Sequence, residues 1–279
     1  MTIQEHLEKY GYAVIEDFLT EKEIFAMKEE GKNMSKEGIK RRTKSLFSGN
    51  VTQPQASDRY FIESANNISF FYETQAFNED GTFKCDPEIS LNKVGHAIHR
   101  LNSVFAQITF HEKIKNICRK LKMKKPAVIQ SMYIYKNPKI GGQVNAHQDA
   151  SYLYTEPSSL YGFWIALDDA TEENGCLSFI PESHNNNVRY RFKRNPNKNS
   201  EKLCITEGCN QVYNDDEFKS LPVKKGTCVI IHGNVVHRSS HNYSDKTRHA
   251  YTFHIYDSAR SVYSKDNWLQ AAFQNLYEN

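Results

Sequence analysis

Five short runs of β-branched and aromatic residues after position 126 constrain the fold more than any other feature of this sequence. Glycine, proline and asparagine separate the runs, which lie at 128–135, 161–167, 176–180, 226–231 and 250–256. Runs of this length and composition are typical of the strands of a β-sandwich or barrel. We therefore expect a β core over about residues 126–260.

The first 125 residues differ, because their apolar residues recur at helical spacing. Thr20 and Glu23 form a capping-box pattern that predicts the start of a helix ending near Gly31. The spacing predicts further helices at residues 2–9, 88–104 and 111–123. Since helices come first and strands later, the predicted class is α+β, with a jelly-roll core and flanking N-terminal helices.

A chain of 279 residues is long enough for one large domain and gives little reason to expect two. We predict a single domain over residues 1–279, with a helical part to about residue 125. Two polar segments without a clear period, 35–60 and 184–215, are predicted to be loops. The second is a long insertion between strands, of the kind that often forms a wall of a functional site.

The bulk composition excludes several classes of protein. A formal net charge of +3 is too small to indicate nucleic-acid binding, and no apolar run is long enough to span a membrane. The start lacks a signal-peptide pattern, and the six cysteines form no CxxC pair, so we expect reduced thiols and a cytoplasmic location. The basic clusters, such as 189–198, are predicted to be solvated, with a rim that attracts an anionic substrate as the alternative.

A His-x-Asp pair, His147 and Asp149, follows the first predicted strand of the core. With 11 histidines and 12 aspartates, about half an occurrence of this pattern is expected by chance, so the pair alone is a weak signal. The surrounding sequence makes a metal site more plausible, because His237 follows a later predicted strand and Arg248 lies at the start of the strand after that. His232 is a rival to His237, but it lies at the end of its strand.

Two imidazoles and one carboxylate form a set of ligands with a defined chemical use. Bound to one face of Fe(II), they leave the opposite face open for a co-substrate and O₂. If the co-substrate is 2-oxoglutarate, its far carboxylate needs a cation, and Arg248 supplies a planar group that can bind it with two hydrogen bonds. The residues therefore predict an Fe(II) oxygenase with His147, Asp149 and His237 as metal ligands.

Several segments together resemble the phytanoyl-CoA dioxygenase family. The matching segments are 92–97, 130–134, 147–157, 173–177, 180–184, 232–237 and 248–254, within a similarity that extends from about Tyr10 to Gln270. The resemblance implies a double-stranded β-helix fold, Fe(II) as the metal and 2-oxoglutarate as co-substrate. It implies His147, Asp149 and His237 as metal ligands, and 2-oxoglutarate contacts at Lys93, Met132, Trp164, Ser239 and Arg248.

The implied activity is that of a dioxygenase which hydroxylates a small-molecule or acyl substrate and releases succinate and CO₂, with ascorbate as a supporting reductant. Asp149 favours hydroxylation, because related halogenases have a small residue at this position. Two alternatives are a 2-oxoglutarate- and metal-binding sensor or scaffold with little turnover, and a cupin-type Zn or Mn enzyme, which leaves Arg248 and Lys93 unexplained. The family's peroxisomal members carry a targeting segment that we do not find here, and the insertion after His184 shares little with the family. The sequence does not identify the substrate.

Overall fold

The computed structural model describes residues 1–41, 44–49, 54–209 and 212–278. The α-helices in these ranges are α1 Ile3–Tyr10, α2 Glu21–Ile39, α3 Arg59–Glu63, α4 Ile98–Leu101, α5 Ser103–Thr109 and α6 Glu112–Lys120. The strands are β1 Tyr12–Ile15, β2 Ser45–Phe47, β3 Ile68–Glu73, β4 Leu91–His96, β5 Pro126–Ile134, β6 Val144–His147, β7 Thr155–Glu156, β8 Leu160–Ala166, β9 Leu177–Phe179, β10 Tyr190–Arg194, β11 Cys204–Gly208, β12 Lys219–Leu221, β13 Cys228–His232, β14 His237–Ser239, β15 Ala250–Asp257, β16 Val262–Tyr263 and β17 Gln274–Asn275.

Two sheets form the core. The larger has nine described strands in the order β1-β13-β8-β15-β5-β4-β3-β2, with β17 paired to β5, and the smaller has the order β12-β9-β14-β6. All pairs are antiparallel except β2 with β3. Side chains of both sheets share one hydrophobic cluster, which includes Trp164 and Val229 of the larger sheet and Phe179 of the smaller. The sheets therefore pack face to face, as a double-stranded β-helix requires.

The larger sheet buries both of its faces, and strand β15 shows how. Tyr251, Phe253 and Ile255 point into the main hydrophobic core, which α2, α5 and α6 complete from outside. Thr252 and His254 alternate with them and line a cavity between the sheets. Helices thus cover one face of the sheet, and its other face is left for the cavity.

The predicted helices at 2–9 and 111–123 are confirmed by α1 and α6. The predicted capping box at Thr20 and Glu23 is also present, but helix α2 does not end near Gly31 and continues to Ile39. Gly31 is needed inside the helix, because a Cβ there would lie 2.3 Å from the ring of Tyr133. The glycine marks close packing of the helix on the sheet and not the end of the helix.

The predicted helix at 88–104 is wrong over most of its length. Residues Leu91–His96 form strand β4, which pairs with β3 and β5, and helix begins only at Ile98. Nearly every side chain of β4 is buried, so its apolar residues do not alternate as in a half-exposed strand. A short apolar run of this kind fits a buried strand as well as a helix, and pairing with β5 decides between them.

Both predicted loops contain regular structure. The segment 35–60 includes the end of α2, strand β2 and a 3₁₀ turn at Pro54–Ser57, while residues 42–43 and 50–53 lie outside the described part. The segment 184–215 contains the antiparallel hairpin of β10 and β11, and residues 210–211 lie outside the described part. The first 125 residues also supply strands β1 to β4, so they are not only helical. The prediction of a single domain stays a prediction.

Across the described ranges, no helix combines the length and apolar character that crossing a membrane requires.

Candidate active site

Two neighbouring strands of the smaller sheet bring two predicted ligands together. His147 at the end of β6 lies directly opposite His237 at the start of β14, and their ring centroids are 4.2 Å apart. Asp149 follows in the turn after β6, with Oδ1 3.6 Å from His147 Nε2 and 3.7 Å from His237 Nε2. One ligand atom from each of the three residues lies within 4.8 Å of the others, a spacing that could hold a metal ion.

Backbone carbonyls orient both imidazoles. The Nδ1 of His147 lies 2.8 Å from the carbonyl oxygen of Asn145, and the Nδ1 of His237 lies 3.1 Å from that of Val235. A carbonyl only accepts hydrogen bonds, so each Nδ1 carries the proton and each Nε2 presents a lone pair. This is the arrangement in which a histidine binds a metal through Nε2.

The second oxygen of Asp149 is held by a histidine that the sequence did not predict for the site. His254 Nε2 lies 3.2 Å from Asp149 Oδ2, and Gln130 Nε2 lies 3.3 Å from the other ring nitrogen of His254. The amide nitrogen of Gln130 can only donate, so Nδ1 of His254 accepts and its Nε2 donates to Asp149. Gly162 leaves room for this contact, because a Cβ there would lie 3.1 Å from Asp149 Oδ2.

The pKa values of the cluster reflect burial and mutual contact. Burial raises the pKa of Asp149, but the adjacent His254 and His237 outweigh it, so that its pKa lies well below the ordinary 3.8. Burial, with help from His147, lowers the pKa of His237 to about 4. At neutral pH the cluster therefore combines a carboxylate with a neutral imidazole of His237, the protonation states that divalent metals bind.

Arg248 lines the same cavity and is only 2% exposed. Its Nη2 donates to Ser239 Oγ over 3.3 Å, and Ser239 in turn donates to the carbonyl oxygen of Gly175. Within the described residues, the buried Nε and Nη1 of Arg248 have no hydrogen-bond partner. Burial lowers the pKa of Arg248 to about 10, which leaves the guanidinium charged at neutral pH.

Asp168 fixes the backbone on both sides of Arg248. Its Oδ2 accepts hydrogen bonds from Thr247 Oγ1 at 2.7 Å and from the backbone N–H of His249 at 2.9 Å. Its other oxygen forms an ion pair with Lys28 of α2. The helical layer therefore helps to position the arginine, although it lies on the far side of the sheet.

The remaining predicted residues lie on the larger sheet. Met132 and Trp164 flank Thr252 in one cross-strand row, and the Trp164 ring lies 5.3 Å from the Arg248 guanidinium carbon. Lys93 on β4 is 8% exposed, and its Nζ lies 3.2 Å above the ring of Phe47. Burial lowers the pKa of Lys93 to about 7.

The cavity has a volume of about 430 Å³ and is lined by all eight residues that the sequence analysis assigned to the metal and to 2-oxoglutarate. The rival His232 lies elsewhere, packed edge-on against the rings of Tyr161 and His184. The structure thus brings the eight residues to one cavity and leaves the rival outside it.

Sequence reasoning missed the residues that support this site: His254, Gln130, Asp168 and Gly162. A signal for His254 was present, because the alternation of β15 puts it on the same face as Thr252. Asp168 had no comparable signal, since its role depends on contacts with segments about 80 and 140 residues away.

A model of the phytanoyl-CoA dioxygenase (PhyH) family matches residues 7–250. The chain belongs to this family. Phytanoyl-CoA dioxygenase domain-containing protein 1 of Danio rerio is 43% identical over 276 residues, which cover 96% of this chain and 94% of that protein. A phytanoyl-CoA dioxygenase of Arabidopsis thaliana is 41% identical over 262 residues, or 94% of this chain and 90% of that protein.

Solved structures share the fold at low sequence identity. EctD from S. alaskensis with bound Fe superposes with a TM-score of 0.64 at 16% identity, covering 97% of this chain and 83% of that one. The non-heme alpha ketoglutarate dependent carbocyclase SnoK from nogalamycin biosynthesis has a TM-score of 0.62 at 19% identity, covering 94% and 85%. The predicted α+β class with a double-stranded β-helix core is confirmed.

The residues that line the cavity suit both Fe(II) and 2-oxoglutarate. Two Nε2 lone pairs and a carboxylate oxygen around one point form the donor set that Fe(II) takes in oxygenases. The guanidinium of Arg248, whose Nε and Nη1 have no partner among the described residues, suits a carboxylate as a charged hydrogen-bond acceptor. The metal donor set and the guanidinium of Arg248 line the same cavity.

Proposed function

We propose that this protein is an Fe(II)- and 2-oxoglutarate-dependent dioxygenase that hydroxylates a small-molecule or acyl substrate. His147, Asp149 and His237 would hold the iron, and Arg248, Ser239, Lys93, Met132 and Trp164 would contact 2-oxoglutarate. Family membership supports this kind of activity, and solved structures of the same fold include a protein with bound Fe and an alpha ketoglutarate dependent enzyme.

One observation carries the proposal: a buried arginine, two of whose nitrogens have no partner among the described residues, lines the same cavity as the metal-binding cluster. An unpaired buried donor costs about 1–3 kcal/mol, and more when the group is charged. A carboxylate bound at Arg248 would remove this cost. A cupin-type enzyme that uses Zn or Mn without 2-oxoglutarate gives the arginine no such partner.

The residues of the site have separate roles in the proposed reaction. With O₂, bound Fe(II) and 2-oxoglutarate would supply the oxidising chemistry, in which succinate and CO₂ are released and a substrate C–H bond becomes C–OH. Arg248 and Ser239 orient the far carboxylate, and Trp164 packs beside the guanidinium. Asp149 supplies a carboxylate ligand where a halogenase has a small residue, which favours hydroxylation. Asp149 and His237 are buried between the two packed sheets, which limits the access of water to them.

The test is succinate release by the purified protein with Fe(II), 2-oxoglutarate and ascorbate, across a panel of small molecules and acyl compounds. We expect succinate in stoichiometric excess over enzyme, with a further increase for a true substrate. Tight 2-oxoglutarate binding without succinate would favour the sensor or scaffold, and absence of 2-oxoglutarate binding would refute the proposal. The cytoplasmic location also stays a prediction, which imaging of the tagged full-length protein can test.

A further inference from the structure

The cavity extends beyond the eight residues assigned to iron and 2-oxoglutarate, and one part of its remaining wall is aromatic. Phe47, Phe61, Tyr152 and Trp268 line it and belong to one hydrophobic cluster. Trp164, which packs beside Arg248, belongs to a different cluster. We call the part of the wall formed by these four residues the aromatic end. Lys93, whose Nζ lies 3.2 Å above the Phe47 ring, marks where it meets the residues proposed for iron and 2-oxoglutarate.

His96 is a polar group set in this aromatic wall. It ends strand β4, lines the cavity and is 1% exposed. Its ring packs edge-on against Phe61, with centroids 5.7 Å apart, and against Trp268, with centroids 5.1 Å apart. Contacts on two sides hold the imidazole in one orientation.

Ser64 determines which ring nitrogen of His96 carries the proton. The Ser64 hydroxyl donates its single hydrogen to the carbonyl oxygen of Phe61 at 2.6 Å. It must therefore accept the hydrogen bond that joins it to His96 Nδ1 at 2.7 Å. Burial, with the nearby Lys93 and His254, holds the pKa of His96 well below 6.5, so the ring is neutral. The proton is on Nδ1, and Nε2 carries a lone pair that can accept a hydrogen bond.

Nε2 of His96 has no hydrogen-bond partner among the described residues. Two other polar side chains of the cavity wall are already engaged: the Gln55 amide donates to and accepts from the backbone of Ser48, and the hydroxyls of Tyr190 and Tyr152 share a hydrogen bond. Because Nδ1 is directed at Ser64, the opposite edge of the ring is the one available to the cavity. An acceptor that faces the cavity can bond a ligand that brings a donor.

We propose that His96 Nε2 accepts a hydrogen bond from the substrate, and that the substrate is a largely apolar, uncharged molecule with a hydroxyl or N–H group. This inference rests on the proposed function, since it assigns the aromatic end to a substrate. If a substrate analogue lacks the hydroxyl or N–H group, the acceptor of the site is left without a hydrogen bond. Such a site therefore discriminates against the analogue more strongly than an apolar pocket discriminates against a ligand of different size. His96 is thus a specificity-determining residue.

The test uses two matched pairs of probes, phenol with anisole and indole with 1-methylindole. Ligand-observed NMR measures their affinity for the full-length protein loaded with Zn(II), a redox-inert substitute for Fe(II), and 2-oxoglutarate. We expect each donor to bind roughly three- to tenfold more tightly than its methylated partner, the size of one net hydrogen bond. His96→Leu should abolish this preference. His96→Gln, whose amide oxygen can take the place of Nε2, should keep it.

Equal affinity within both pairs, a preference that survives in His96→Leu, or no binding of any probe at millimolar concentration would overturn the inference. The 2-oxoglutarate affinity is measured on the same samples. Loss of 2-oxoglutarate binding by the wild-type protein would count against the proposed function, whereas the probe preference is read independently of it. A similar 2-oxoglutarate affinity in the two His96 variants shows that both are folded.

Discussion

The metal end and the Arg248 end of the cavity are built in opposite ways. At the metal end, Nδ1 of both His147 and His237 and Oδ2 of Asp149 have partners within the protein. At the Arg248 end, Nε and Nη1 of the guanidinium have none among the described residues. The metal ligands are thus oriented before an ion arrives, whereas the arginine is buried at a cost that an anionic ligand would offset. The two ends should therefore respond differently to substitution.

Removing a metal ligand should have the largest effect. Asp149→Ala leaves two imidazoles without the carboxylate, so we expect Co(II) affinity to fall by more than the roughly 10- to 100-fold typical of an outer partner. Succinate formation should fall with it. Co(II) titration followed by absorbance measures the first effect, and the free energy of unfolding in urea serves as the control. Turnover of 2-oxoglutarate at the wild-type rate would count against Asp149 as a ligand.

Arg248→Met should separate ligand binding from stability. We expect 2-oxoglutarate affinity to fall roughly 10- to 100-fold, because hydrogen bonds to charged groups contribute about 1.5–3 kcal/mol. Without ligand, the free energy of unfolding should stay unchanged or rise, since an unpaired buried charge is replaced by apolar volume. Calorimetric titration and urea unfolding measure the two quantities.

Arg248→Lys is the matched control, because it keeps the charge without the planar group. It should weaken 2-oxoglutarate binding without a gain in stability. If Arg248→Met is instead strongly destabilised in the absence of ligand, the arginine has a structural role and the contrast between the two ends fails.

His254→Leu tests whether the metal end depends on its outer partner. The change removes the donor to Asp149 Oδ2, so we expect Co(II) affinity to fall roughly 10- to 100-fold. His254→Gln offers an amide N–H in its place and should recover most of the loss. An equal loss in both variants would point to disturbed packing, and unchanged affinity in His254→Leu would show that Asp149 needs no such support.

The smallest effect is expected from the pH dependence of Lys93. Its pKa is lowered to about 7, so the ammonium loses its proton as the pH rises through neutrality. We expect the dissociation constant of 2-oxoglutarate to increase about two- to fivefold between pH 6 and 9, the size of an ordinary ion pair. Calorimetry on wild type and Lys93→Met provides the comparison, and an equal slope in the variant would exclude Lys93 as the cause.

The same shift has a consequence for stability without ligand. The folded pKa of about 7 lies below the ordinary 10.5, so between these values the unfolded chain binds more protons than the folded one. Stability therefore rises with pH over this window. The gain in free energy of unfolding from Lys93→Met should be largest at or below pH 7 and disappear near pH 10.5.

Sequence patterns succeeded where the signal was local. The capping box at Thr20 and the strand around Phe253 depend on neighbouring residues, and both are present. Patterns failed where a segment is buried on both faces. Leu91–His96 had helical spacing but pairs with two strands, and Gly31 had the composition of a helix end but lies inside a helix against Tyr133.

By itself, the sequence determined which residues could form the site: the His-x-Asp pair, a later histidine and an arginine, each beside a predicted strand. The tertiary structure decided what surrounds them. Only the pairing of β6 with β14 places His147 opposite His237, and only the packing of the two sheets brings Arg248 into the same cavity. The roles of His254 and His96 also depend on contacts between distant segments. Their partners are fixed by strand register and side-chain packing, which a one-dimensional pattern does not contain.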